Sequence, residues 1–314
     1  MRVLLGLLWL VAGCLQLQPF MFTKGLALDV IAPSAARQPV MVTGPVGLFV
    51  RVVAAHPAAF NTAFATAELA VGLGLVVLRR RRGARFISAA GISLALGIWW
   101  LGEGFGGVLS GTSAASMGAP GAALLYALIG LAAWPARNQR ALPARWTRLA
   151  WFVVWTGTAA LSALPLQTSP DALAGQVEMG SSMSPAVLGR PELALAERMS
   201  RMSAGVALAI AATLVAVQLF IAVGGLGSGR LRTTATRCAL LFAAITWVLC
   251  QGFGGVTTGE ATDVATGPLL ALFTLTLVSA QRRRSARSAR VTRSARPTQD
   301  VRPQVISSSF SRTA

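Results

Sequence analysis

Residues 99–111 read WWLGEGFGGVLSG, and residues 247–259 read WVLCQGFGGVTTG. Eight of these thirteen positions are identical without a gap. The same offset carries Pro120 onto Pro268 and Leu124 onto Leu272. A two-residue shift matches Glu68-Leu69 with Gln218-Leu219, and Gly74 with Gly224. Earlier in the chain, Trp9, Leu15 and Pro19 match Trp155, Leu161 and Pro165 at a constant offset. Chance glycine enrichment does not readily produce an ungapped GFGGV with flanking Trp, Leu, Gly and Pro also in place. The chain therefore reads as a duplication, with a first unit over 1–148 and a second over 149–280.

The composition says what is duplicated. Of 314 residues, 54% are hydrophobic and only 12% are charged, half the usual share in soluble domains. Mean hydropathy is +0.63. A disordered or fibrous chain and an ordinary soluble enzyme are excluded, which leaves a polytopic membrane protein. One His, His56, and three Cys exclude bis-histidine haem, His-rich zinc sites and four-cysteine clusters on one chain. Cys14, Cys238 and Cys250 have no CxxC spacing and suit packing as small hydrophobes. No metal site is expected, and no cofactor can be named.

A crossing helix needs about 20 apolar residues. Eight segments qualify or come close: 3–20, 58–78, 86–108, 120–135, 149–166, 204–226, 238–256 and 267–280. The expected fold is all-α, a transmembrane bundle of about eight helices built as two four-helix repeats. Because four is even, the repeats are parallel, related by an axis along the membrane normal. The charges agree. Arg2, the runs 79–85, 137–148 and 230–237, and the tail hold 22 of the 28 positive residues, always on the same side of an even-numbered crossing. The positive-inside rule then places both termini in the cytoplasm of a plasma-membrane, multi-pass protein. Net charge of +18 is thus a topology signal, and no nucleic-acid partner is expected. Arg2 to Cys14 imitates a lipoprotein signal, but the residues after Cys14 stay apolar and the pattern recurs inside the chain, so an uncleaved first helix is expected.

The long connections 21–57 and 167–203 are external, with short helices expected at Val46–Ala55 and at Pro191–Met202, the latter with Pro191 as first helical residue. Trp134, Trp146 and Trp151 flank the basic 137–148 loop as interface anchors. Residues 281–314 repeat Ser-Ala-Arg and read as a disordered basic cytoplasmic tail. Beyond the bilayer itself, its expected partner is the anionic inner leaflet, at about 1 kcal/mol per Arg. A membrane-protein partner is a further expectation.

Ionisable residues inside a membrane are functional candidates by default, and the apolar segments hold two, Glu68 and Glu103. Asn61, Ala65, Glu68 and Gly72 share one helical face, so Glu68 either glues helices as a protonated acid or carries function. Glu103 precedes Gly104, Phe105, Gly106 and Gly107, about 26 Å from the start of its segment at the outer boundary. Glycine-interrupted segments at matching places in two halves mark transporter sites. The plainer alternative makes both motifs helix C-caps. The second half matches with Gln218, Gln251, Gly252, Phe253, Gly254 and Gly255. Twice an acid in the first half faces its amide in the second, and an amide hydrogen-bonds but does not titrate. The expectation is a proton-linked first half and a structural second half.

The first half also resembles the DoxX-like membrane proteins, which are small four-helix bundles. The likeness rests on Arg2-Val3-Leu4-Leu5-Gly6-Leu7-Leu8 running into an apolar helix, and on Glu68-Leu69-Ala70-Val71-Gly72-Leu73-Gly74-Leu75 followed by arginines. It implies a quinone-linked or redox-accessory role for the four-helix unit. GFGG is not part of that likeness, and the second half departs from it at Gln218, so no catalytic residue carries over. Two functions stand: an accessory subunit of a redox or cell-envelope complex, which need not be an enzyme, and a proton-coupled secondary transporter of a small solute with a site between the repeats. A transporter needs a water-accessible cavity, whereas an accessory bundle can be packed throughout.

Overall fold

The computed structural model describes residues 1–135, 144–164 and 167–279. The basic tail, Pro165 and the first arginines of the 137–148 loop lie outside the described residues. Within them the fold is all-helical, without a strand. Each of the eight apolar segments holds a helix: α1 (Arg2–Leu15), α3 (Pro57–Val77), α4 (Arg81–Gly102), α5 (Ala122–Ala132), α6 (Ala144–Ser162), α9 (Ala204–Gly224), α10 (Gly229–Leu249) and α11 (Thr266–Ser279). The connections supply α2 (Val40–Ala55), α7 (Pro170–Met183) and α8 (Ala186–Ser200).

Three helices, α3, α4 and α9, are long and apolar enough to cross a membrane. Several others are shorter than the sequence suggests. With 11 residues, α5 reaches only about 16 Å. The segments expected at 86–108 and 238–256 stop at Gly102 and Leu249, because GFGG does not continue a right-handed helix. On α3 and α9, Leu73, Val77, Leu208 and Val223 are exposed, giving apolar outer faces that suit lipid better than water.

Local signals set the helix starts. Pro57 opens α3 at a position where the missing N–H costs nothing. The Ser169 hydroxyl caps α7 by accepting from the Ala172 N–H at 3.1 Å, with Pro170 next. Pro191 is not the first residue of its helix, as the sequence suggested. It is the sixth residue of α8, just as Pro45 is the sixth of α2. The carbonyl that Pro191 cannot reach belongs to Val187, which is 85% exposed, so solvent or headgroups can satisfy it. Helix α2 begins six residues before the expected Val46.

Neighbours repeat in the same order along the two halves. Helix α1 lies along α3, and α6 lies along α9; α4 packs on α3, and α10 on α9. Gly6 and Gly72 let α1 and α3 meet backbone to backbone, since a Cβ on either would press on the other's carbonyl oxygen. One continuous apolar core joins Trp9, Leu125 and Ile129 of the first half to Trp155, Ile221 and Phe273 of the second. Trp151 belongs to that core. It is 3% exposed, and its indole N–H donates to the Ile221 carbonyl at 2.8 Å, so it is not an interface anchor. Trp146 is exposed as expected.

Candidate functional site

The GFGG motif forms a left-handed turn, and it does so twice. Gly104, Phe105, Gly106 and Gly107 have φ of 51°, 59°, 64° and 69°. Gly252, Phe253, Gly254 and Gly255 have 49°, 58°, 74° and 63°. An L-residue with a side chain loses about 1–2 kcal/mol in this region, which is why three of the four are glycine. Phe105 and Phe253 accept the strain and pack edge-on against Trp99 and Trp247, at centroid distances of 4.9 and 5.0 Å. Such ring pairs return about 0.5–1.5 kcal/mol. Right-handed helices α4 and α10 thus end in left-handed residues, the C-cap alternative that the motif suggested, in an extended form.

Each turn then docks on the start of the next helix. The Trp99 indole N–H donates to the Pro120 carbonyl at 2.6 Å, and that of Trp247 to the Val264 carbonyl at 2.9 Å. A Cβ on Gly106 would collide with Pro120, and one on Gly254 with Val264. The equivalence in space is therefore Pro120 with Val264. The sequence match of Pro120 with Pro268 is displaced by four residues, one turn of helix.

The two polar residues ahead of these turns do different work. Glu103 Oε1 accepts from the Ala123 N–H at 3.0 Å, and Gln251 Oε1 accepts from the Gly267 N–H at 3.0 Å. Both fill an orphan donor in the first turn of the following helix. The other end of Gln251 donates through Nε2 to the Ser116 carbonyl at 2.9 Å. The other end of Glu103, Oε2, has no partner.

Glu103 stands at a cavity. A space of about 640 Å³ lies within the first half, and Glu68, Glu103 and Asp263 all line it. Its walls include five aromatic side chains: Trp9, Phe49, Phe60, Phe64 and Tyr126. Among the described residues, no Lys, Arg or His lines it. Glu103 and Ser34 also line a second, more open space of about 490 Å³, where Arg37 and Ser113 face them. Glu103 therefore sits in the wall between an outer vestibule and an inner apolar chamber. Glu68 lies eleven residues after Pro57 in α3, about 17 Å of helical rise from the start of that helix.

The polar stripe of α3 divides in two. Asn61, Ala65, Glu68 and Gly72 are all buried, as their spacing requires. Asn61 Nδ2 donates to the Gln16 carbonyl at 2.7 Å and ties α3 to the end of α1, while Gly72 seats α1. Glu68, 3% exposed, faces the chamber with Oε2 unpartnered. Its counterpart Gln218 instead donates from Nε2 to the Ser162 hydroxyl at 3.0 Å.

Asp263 was not legible as a site residue. It sits in the loop before α11, in the second half, and nothing in its sequence neighbourhood points to the first half. Its Oδ1 accepts from the Ala265 N–H at 2.6 Å. Burial pushes its carboxyl above the ordinary carboxylate range, opposed by that same N–H. Tyr126 was also missed; its hydroxyl donates to the Leu8 carbonyl at 3.1 Å and its ring packs on Trp9 at 4.5 Å. His56 is an exposed residue between α2 and α3, away from the chamber. No family model matches this chain, and neither does any curated protein or solved structure.

Proposed function

We propose that this chain is a multi-pass plasma-membrane protein, built as two parallel repeats, that carries a small solute in exchange for protons through its first half. The single observation behind this is the chamber of about 640 Å³ that gathers Glu68, Glu103 and Asp263 from three separate elements. An accessory bundle has no need of such a space, so the chamber favours a carrier over a redox or envelope accessory subunit. The solute site lies within the first half and is closed by the second half's loop, which modifies the expectation of a site between repeats. The duplicated build, 1–148 and 149–280, is supported by the recurring helix neighbours, left-handed turns and Trp-to-carbonyl bonds.

Protons would bind at Glu68, with Glu103 passing them to the vestibule. Tyr126 and Asp263 are the other titratable groups on the chamber wall. Amides at Gln218 and Gln251 leave the second half as scaffold. The orientation, with both termini cytoplasmic, rests on the arginine distribution. The tail 281–314 would lie against anionic inner-leaflet lipid.

Alternating access makes a chamber reachable from both faces in turn. The test replaces Cys14, Cys238 and Cys250 by alanine, then introduces single cysteines at Gln16 and Gly97, which line the chamber. A membrane-impermeant thiol reagent is applied to right-side-out and to inverted vesicles. Labelling from both sides is expected. Labelling from one side only, or from neither, would overturn carriage.

A further inference from the structure

We propose that the inner chamber takes a lipophilic organic cation, an onium or protonated amine bearing aromatic or aliphatic groups. This deepens the carrier reading and rests on the chamber being its solute site.

Charge comes first. Three carboxyl groups line the chamber and, among the described residues, no basic side chain does, so an anionic solute would find nothing to neutralise it. Glu68 is only 3% exposed, yet its Oε2 has no hydrogen-bond donor, and Glu103 Oε2 has none either. Carboxyl groups short of donors on one cavity wall favour a positive or donating ligand over an anion. A lone metal ion fits poorly, because the lining is dominated by apolar surface and, among the described residues, no three His, Cys, Asp or Glu side chains are grouped to hold one.

Aromatic walls supply the second argument. Trp9, Tyr126, Phe49, Phe60 and Phe64 surround the acids, and the faces of such rings attract cations, more so where water is excluded. Volume supplies the third: about 640 Å³ is within the usual range for a drug-sized ligand and far exceeds what an ammonium or alkali ion needs. The route supplies the fourth. Ser93, the thirteenth residue of α4, is both exposed and part of the chamber wall. It lies midway along a helix long enough to span the bilayer, so a lipophilic solute can enter from lipid and need not pass Arg37 in the vestibule.

The experiment is equilibrium dialysis of the full chain in phosphatidylcholine nanodiscs, with empty nanodiscs subtracted. The probes are tetraphenylphosphonium, the equally shaped anion tetraphenylborate, and the neutral decylubiquinone. Saturable binding of the phosphonium alone is expected. Glu68→Gln should weaken it at least tenfold and Glu103→Gln several-fold. Glu68→Asp, which keeps the charge, should retain most of it, and so guards against a Gln variant that merely misfolds. Glu192→Gln alters a buried acid outside the chamber and should leave binding unchanged. Equal binding of phosphonium and borate, preference for the quinone, or full binding by Glu68→Gln would each overturn the proposal. If dialysis fails while two-sided thiol labelling succeeds, the chamber carries another class of solute. If dialysis succeeds while labelling fails, the cation is bound and not carried.

Discussion

Glu103 and Gln251 occupy the same place in two copies of one structural device, and they differ by a single atom type. Both follow a helix that ends at a left-handed Gly-Phe-Gly-Gly turn, and both cap the helix that comes next. Gln251 spends its second end on the Ser116 carbonyl, so its group is fully bonded. Glu103 leaves its second end unbonded, at a chamber. Gln218 and Glu68 differ less: Gln218 donates to Ser162 through Nε2, yet its Oε1, like Glu68 Oε2, has no donor among the described residues. The same turn can thus be kept whether or not the polar residue ahead of it bonds at both ends. The cost at Glu103 is a buried acceptor without a donor among the described residues.

The largest test of the comparison lies in the turns. Gly106→Val and Gly254→Val each place a branched side chain at positive φ against a backbone carbonyl. Each should lose roughly 2–5 kcal/mol, from left-handed strain plus overpacking. Thermal unfolding in detergent should show two similar drops in midpoint; a drop at only one site would break the equivalence of the turns.

Next comes the reciprocal exchange. Gln251→Glu removes the donor to Ser116 and sets a carboxylate oxygen against a carbonyl, for a loss of about 1–3 kcal/mol. Glu103→Gln keeps the acceptor for Ala123 and should change stability by less than about 0.5 kcal/mol. Reversed magnitudes in the same unfolding assay would mean that Glu103 is the structural member of the pair.

Trp99→Phe and Trp247→Phe remove one indole donor each while retaining most of the ring packing. Both should lose about 1 kcal/mol. Unequal losses would sharpen the comparison by locating where the two copies have diverged in packing. The smallest effect is expected from Ser162→Ala, which takes away the partner of Gln218 at about 0.6 kcal/mol, the usual worth of a hydrogen bond between membrane helices.

Much of the helical order was legible because apolar runs and proline or serine starts are local signals. Each of the eight segments holds a helix. The ends of α4 and α10 were legible as the C-cap alternative, but the four-residue left-handed turn was not, since it rests on Trp99 meeting Pro120 and Trp247 meeting Val264. Pro120 and Pro268 align in sequence, but tertiary hydrogen bonds select Val264 one turn earlier. Glu68 and Glu103 stood out as acids in apolar surroundings. Their meeting at one chamber depends on how α3 and α4 pack, which periodicity does not encode. Asp263 was hidden because a loop's landing place is decided by the opposite half of the molecule.

Ser116, from the first half, reaches into the second half's turn, and Thr262 and Asp263, from the second half, close the first half's chamber. Each copy has lent out its own clasp and borrowed its sibling's. Such a loan has a consequence for dissection: neither half can be isolated intact by cutting the chain at residue 148. Expressed alone, 1–148 would have an open chamber, and 149–314 would have a Gln251 that still caps Gly267 but whose Nε2 has lost the Ser116 carbonyl. Co-expressed, the two fragments should recognise each other through the exchanged loops before anything else, and survive only as a pair.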